Sequence, residues 1–573
     1  MKIDIKKLGY RWKGNHSATA TYERGDVVRM NGDVKYHDGN TFVTMASGQR
    51  DANTKGAIAA KTPGSVQVSG TSDQILHVGA NDNPEFQFSE GRSSTSVRKM
   101  AKIMGGRYGG FAGRGGRQAM AAIMTDGSVR TWGRNTSWMQ GVGNHTTTTS
   151  LPEKVAFPTD APEISEVYMT DMDTNFAIDA EGALWAWGRG GSYAFGTPGN
   201  VVDRGLPEKL NGRGDIPEDA KIVDFFCSQT NPNSYSTRYY VQWCRDDQGN
   251  IYGWGNNTYG LTGAESTLTN IEEPTLIPLS QRENILDIQC FANRHYATFF
   301  ITDTGKLYAV GDTGSTPWRA ASAQDDTSSI PALWMPSTYD PVKKVSVNYG
   351  RLNTSASSYN KRYLIVTHNG KLYSWGSTSN SAPLYDHPNY VHSNEASYDN
   401  RIDNVEDAYV RMGYAGTQYV LKTDGTIWGI GYCQHIDPVA GTNKNTYFTQ
   451  WTDLGFGSDN EQLWIQSNQG TGYGAYGSGV LTRKFDGTIH TCGYWFSQAG
   501  NGAGGVSPNG NNSKHFGAMR VKGPADAWAV GGGDNYNNIY VQVGGELFSN
   551  GYGLACGNDD DVEDRYTLSQ VIF

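Results

Sequence analysis

The motif Gly-x5-Gly occurs eight times between residues 127 and 551, and it limits the possible folds more sharply than any other feature of the chain. The glycines are Gly127 and Gly133, Gly182 and Gly188, Gly249 and Gly255, Gly305 and Gly311, Gly370 and Gly376, Gly425 and Gly431, Gly487 and Gly493, Gly545 and Gly551. Successive closing glycines are 55, 67, 56, 65, 55, 62 and 58 residues apart. A period of this size marks one supersecondary unit repeated along the chain.

Each unit reads as a hairpin. An apolar run such as 121–124 or 363–366 precedes a pair like Asp126-Gly127 or Asn369-Gly370, which predicts a two-residue turn with positive φ. The second residue after the glycine is aliphatic in every copy, from Val129 and Leu184 to Ile489 and Leu547. The third is usually aromatic. The fourth is always small (Thr131, Ala186, Gly253, Ala309, Ser374, Gly429, Thr491, Ser549), which lets neighbouring sheets approach closely. Two more strands are expected per unit, one before the hairpin (97–103, 164–169, 342–347) and one after it near Pro152, Pro207 or Pro274. Proline suits an edge strand. Four strands in about 60 residues make a propeller blade. The expected fold is therefore an all-β propeller of four-stranded blades over 96–573, with eight blades, or seven if one unit is displaced. No stretch holds a 3.6-residue period.

Composition agrees. Glycine contributes 72 of 573 residues, aromatics 12% and charged residues only 18%, with a mean hydropathy of −0.55. The polarity thus comes from Ser, Thr, Asn, Gln and Gly. A net charge of −9 argues against nucleic-acid phosphates as partners, and Arg107, Arg114 and Arg117 read as a solvated loop. No apolar run approaches a membrane span, and the first residues show no secretory apolar core. The six cysteines, Cys227, Cys244, Cys290, Cys433, Cys492 and Cys556, include no CxxC pair and read as buried thiols of a protein folded in a reducing cytosol.

The repeat resembles that of the regulator of chromosome condensation family, whose pattern is Asp-Gly-x-(Val/Leu)-(Tyr/Phe)-x-Trp-Gly followed by x-Asn-x-x-Gly. Residues 254–263 match it closely, with Leu261 and Thr262 departing from the usual Gln-Leu, and 132–137 match its first half. The acidic run 557–567 looks like the family's loop before the outer strand. The resemblance implies a propeller of usually seven blades. The family's nucleotide exchange on a nuclear GTPase cannot be placed on residues here, and a fold does not carry a function with it.

The first 60 residues differ. Trp12, Gly14, Tyr22, residues 25–28, Asn31, Gly32, Tyr36 and Phe42 resemble a small aromatic β-module of chitin-binding domains and of phage tail and fibre proteins. Trp12, Tyr22 and Tyr36 are candidates for stacking on a glycan, with the core of a tiny domain as the alternative. Residues 61–95 read as a linker with strands near 65–68 and 75–78.

Catalytic patterns are missing. Gly305-Lys306 and Gly370-Lys371 lack the following Ser or Thr of a phosphate loop, and neither His-Glu-x-x-His nor Gly-x-Ser-x-Gly occurs. His490 fills the aromatic slot of its unit and reads as packing. Asp559, Asp560, Asp561, Glu563 and Asp564 lack the alternate spacing of a Ca²⁺ loop. No metal, cofactor or catalytic residue is expected. The leading expectation is a bacteriophage virion protein of the tail, fibre or neck, assembled in the host cytoplasm. Its partners would be other virion proteins and a host-surface glycan or receptor, with oligomerisation in the particle and no nucleic acid or membrane insertion. The alternative is a cellular propeller that binds another protein across one face. A polysaccharide-degrading enzyme, needing a carboxylate pair at the ring mouth, ranks third.

Overall fold

The structure is a computed structural model. Over the repeats it describes residues 96–104, 119–133, 135, 137–144, 149–170, 173–199, 201–228, 240–291, 297–311, 330–333, 340–347, 361–377, 397–410, 418–430, 451–467, 478–493, 517–518, 525–533, 536–551 and 565–573. Within residues 1–95 it describes only the backbone of strands. The chain divides into two compact units, residues 1–96 with 124–126, and the remainder.

The first unit holds two sheets. Lys2–Asp4 pairs with Pro84–Phe88, followed by Gln74–Val78, Ser65–Gln67 and Ala60–Thr62. The other sheet runs Arg11–Asn15, Asp26–Met30, Asp33–His37, Phe42–Ala46, with its first pair parallel.

The second unit is an eight-bladed propeller of antiparallel four-stranded blades. Blade 2 is typical: Ile164–Met169, Thr174–Asp179, Leu184–Gly188 and Arg204–Lys209 lie side by side in chain order. Blades 3 and 4 begin with Ile222–Cys227 and Ile285–Phe291, blade 8 with Ala527–Gly533. The aliphatic slot is buried in all eight blades, and this forms the core between sheets; Val129, Leu184, Ile427 and Leu547 are each at most 1% exposed. Pro152, Pro207 and Pro274 sit in fourth strands, whose outer edges have no neighbouring strand among the described residues to receive an N–H.

The hairpin turn differs from the sequence expectation. In blade 2 the Asp179 N–H donates to the Ala183 carbonyl (3.1 Å) and the Gly182 N–H to the Asp179 carbonyl (3.2 Å), so the loop has three residues. The same pair of bonds recurs in blades 3 to 7. This is a type I turn closed by one left-handed residue, and Gly182 has φ +90°. Only that last residue needs positive φ, so Glu181, Gln248 and Thr304 are tolerated before it. The two-residue turn occurs in blade 8, where Gly544 (φ 58°) and Gly545 (φ 82°) link the paired Val543 and Glu546.

The closing glycine makes a β-bulge. The register between third and fourth strands shifts at Gly133, Gly188, Gly255 and Gly551. Gly255 has φ +110°, and a Cβ there would lie 2.2 Å from the Tyr240 carbonyl oxygen.

The tryptophan before that glycine joins blades. Trp187 Nε1 donates to the Met139 carbonyl of blade 1 (2.9 Å), and Trp254 Nε1 to the Ala194 carbonyl of blade 2 (3.1 Å). Blade 4 carries Val310 in this slot. Its cross-strand partner Thr298 supplies the donor instead, to the Leu261 carbonyl of blade 3 (2.7 Å). Trp132 packs edge-on against Tyr540 and Phe573 beside the last blade.

Ring closure fixes the blade number. At six of the eight junctions an N–H at or just before the start of a first strand donates to the turn glycine of the preceding blade, as from Ile222 to Gly182, Val342 to Gly305 and Val405 to Gly370, each 2.8 Å. Val97 makes the same 2.8 Å bond to Gly545, so blade 8 meets blade 1 through the contact that joins five other neighbouring pairs. Eight blades close the ring with none displaced.

Gly255→Ala should lower stability by at least about 2 kcal/mol, since it combines a left-handed φ with a backbone clash. Gly544→Ala, whose added Cβ would meet nothing within 4 Å, should cost about 1 kcal/mol. Urea midpoints of the two variants check the order.

Candidate functional site: the axial rim on the turn face

First strands lie at the axis, where Lys102 and Ile103 of blade 1 pair in parallel with Tyr168 and Met169 of blade 2. They start at the end of the ring that carries the hairpin turns, because Asp247 N–H in the blade 3 turn donates to Lys221 (2.9 Å) and Asp303 N–H in the blade 4 turn to Asn284 (2.9 Å). Blades 2 to 7 enter with a buried residue followed by a bulge, as between Ile222 and Asp224 or Ile285 and Asp287. The two residues after the buried one form the rim of the axial opening.

Charge on this rim follows the blades. Arg98 and Lys99 of blade 1 pair with Glu163 and Glu166 at blade 2, and Lys343 and Lys344 of blade 5 with Glu406 and Asp407 of blade 6. Blades 3 and 4 break this pattern. Their second positions are Val223 and Leu286, 50% and 49% exposed, where the other blades carry Arg98, Ser165, Lys343, Glu406, Glu461 and Asp526. Their third positions are Asp224 and Asp287. Asp224 meets Arg245 at 3.4 Å and accepts from the Tyr168 hydroxyl at 3.4 Å. Burial first, and the Asp224 and Glu166 carboxylates next, push the Tyr168 phenol far up, so it stays a donor. Asp287 accepts from Gln289 Nε2 (2.7 Å) and has no cation partner among the described residues.

Arg245 fixes this part of the rim. Its guanidinium donates to the Ile285 carbonyl (2.9 Å), tying blade 3 to the entry of blade 4. The equivalent carbonyl receives Arg98 at Ile164, Arg483 at Ala525 (3.2 Å) and Gln542 at Val97 (2.9 Å). The rim is thus a clamped edge, suited to recognition by a preformed surface.

Other candidates fall elsewhere. Trp12 and Tyr36 lie in strands that both pair with the strand of Val27, the register aligning Trp12, Val27 and Tyr36; Tyr22 lies outside the described residues, as do Gly431, the acidic loop 559–564, and Arg107, Arg114 and Arg117. The opening glycines Gly127, Gly182, Gly249, Gly305, Gly370, Gly425, Gly487 and Gly545 all have positive φ. Cys227, Cys244 and Cys290 are buried and form no disulfide, and burial pushes Cys290 up to about 12, which keeps it protonated and unreactive. Cys433 and Cys556 lie outside the described residues, and Cys492 is described in its backbone only. Among the described residues no group of three or more His, Cys, Asp or Glu could hold a metal ion. Sequence reasoning missed Val223, Leu286, Asp224 and Asp287. Their signal was an apolar residue two before a charge, repeated in Ile222-Val-Asp224, Ile285-Leu-Asp287, Val342-Lys-Lys344 and Val405-Glu-Asp407.

No family model matches the chain. The ultraviolet-B receptor UVR8 of Arabidopsis thaliana is 27% identical over 266 residues, which are 45% of this chain and 51% of the receptor. Protein pim1 of Schizosaccharomyces pombe is 24% identical over 277 residues, 45% of this chain and 45% of that protein. The eight units are repeats like those of the regulator of chromosome condensation. A solved structure of Kap60 bound to yeast RCC1 (Prp20) aligns at 16% identity with a TM-score of 0.44, covering 78% of this chain and 94% of that chain. The chain spans about half the length of these two relatives and 4% of the E3 ubiquitin-protein ligase HERC2 of Homo sapiens, to which it is 24% identical over 204 residues. These relatives are proteins of a plant, a fission yeast and a human. They overturn the expected placement in a virion, which had rested mainly on the short aromatic resemblance at the N-terminus.

His490 is half-buried; burial first and Lys484 second hold its pKa below the ordinary 6.5. A depressed histidine contributes stability that is whole above its unfolded pKa and is lost as pH falls through the folded one. His490→Phe should therefore flatten the fall in melting temperature that the parent shows below about pH 6.5. Melting curves of both proteins from neutral to mildly acid pH check this.

Proposed function

We propose that the chain is a cellular partner-binding propeller, which recognises another protein across the turn face and catalyses nothing itself. The observation that carries this is the exposed Val223 and Leu286 pair on neighbouring blades of an otherwise polar, clamped rim. The two stand at the same position of neighbouring blades, and exposed apolar side chains gathered on a polar surface mark an interaction site. The net charge of −9 favours a protein partner over a nucleic acid. One curated relative is a receptor, which fits a recognition role.

Affinity purification of the tagged full chain from its producing cell tests this. A partner should be recovered in near-stoichiometric amount, lost with Val223→Glu/Leu286→Glu and kept with Leu151→Glu on the outer strand of blade 1. Recovery that ignores the rim substitutions would refute the turn face.

A further inference from the structure

Building on that reading, we propose that Val223, Leu286 and Asp287 form a docking point for a partner segment in which a lysine or arginine stands beside an aliphatic or aromatic side chain. The apolar half of this point is the exposed pair on blades 3 and 4. The acidic half is Asp287, the carboxylate next to Leu286. Elsewhere on the rim the acids of blades 2 and 6 are matched by the lysines and arginine of blades 1 and 5. Asp287 has a side-chain amide in place of a cation. Two cations of blades 3 and 4 are engaged: Lys306 holds Glu283 at 2.7 Å, and Arg245 spans Asp224 and the Ile285 carbonyl.

Covering Val223 and Leu286 also desolvates Asp287. A carboxylate removed from water without a partner is penalised, while one met by an incoming cation gains a charge-assisted hydrogen bond. The site thus selects a segment carrying both chemistries and rejects an acidic one by like-charge repulsion. Turn-tip Asp247 and Asp303 extend the negative field, and Asp303 is oriented by Asn284 at 3.0 Å. Arg245, bonded to the blade 4 backbone beneath Leu286, holds the surface ready before the partner arrives.

Fluorescence anisotropy with the full chain tests this, using a labelled peptide of alternating lysine and leucine and its glutamate-leucine counterpart. The lysine-leucine peptide should bind and the glutamate-leucine peptide should not. Asp287→Asn should weaken binding about tenfold and Leu286→Ser about fivefold. Glu273→Gln, which removes the same charge from the outer strand of blade 3, should leave it unchanged. Unaltered melting temperatures verify that each variant is folded. Equal losses from Asp287→Asn and Glu273→Gln would reveal attraction to net charge alone and overturn the proposal. So would an indifferent Leu286→Ser, binding of the acidic peptide, or no binding of the basic one. If the peptides fail while the cellular partner is still lost with Val223→Glu/Leu286→Glu, the turn face stands and the chemistry assigned to it falls. If the partner is insensitive to those substitutions, the reading beneath it falls too.

Discussion

Six of the ring's eight junctions are held by one backbone hydrogen bond, from the N–H that opens a first strand to the carbonyl of the preceding blade's turn glycine. That bond requires the turn to lie against the backbone entering the next blade. At Gly182 a Cβ would stand 2.7 Å from the Lys221 Cα, and at Gly425 2.4 Å from the Ser458 carbonyl oxygen. The glycine therefore meets two demands at once, a left-handed φ for the turn and clearance for the neighbouring chain. The tryptophan-to-carbonyl bonds at the opposite end of the blade act in the same way, joining neighbours through groups that a lone sheet would leave unpaired.

The fold was legible because its constraints are local and repeated. Gly127 through Gly551, the aliphatic slot and the small slot each stand at a fixed distance from the turn, so the pattern survives divergence elsewhere. The turn type was misread because Asp-Gly is compatible with two loops. Glu181 and Gln248 in the first turn position, poor choices for a left-handed residue, pointed to the three-residue form. The eighth blade could not be settled from spacing, since closure is a contact between Val97 and Gly545 at the two ends of the repeat region.

The rim was less legible. Val223 and Leu286 sit in strands rich in apolar residues, where burial is the natural expectation. Only the entry bulge, which shifts the register between Ile222 and Asp224 and between Ile285 and Asp287, turns them outward. Asp287 stands out only once its neighbours are seen to be engaged, and those partners come from separate strands. The cellular reading is favoured by sequence relatives that match 45% of the chain, while the aromatic spacing near the N-terminus had suggested a virion.

Each blade takes its four strands from one uninterrupted stretch of chain, so no strand is lent across the seam where blade 8 meets blade 1. The circle is therefore fastened there without a covalent tie, by the Val97 bond, the Gln542 amide and the edge-on ring contacts of Trp132. It behaves as a clasped bracelet. Pulling or heating should part this clasp first, and new termini cut into any other junction would merely relocate it.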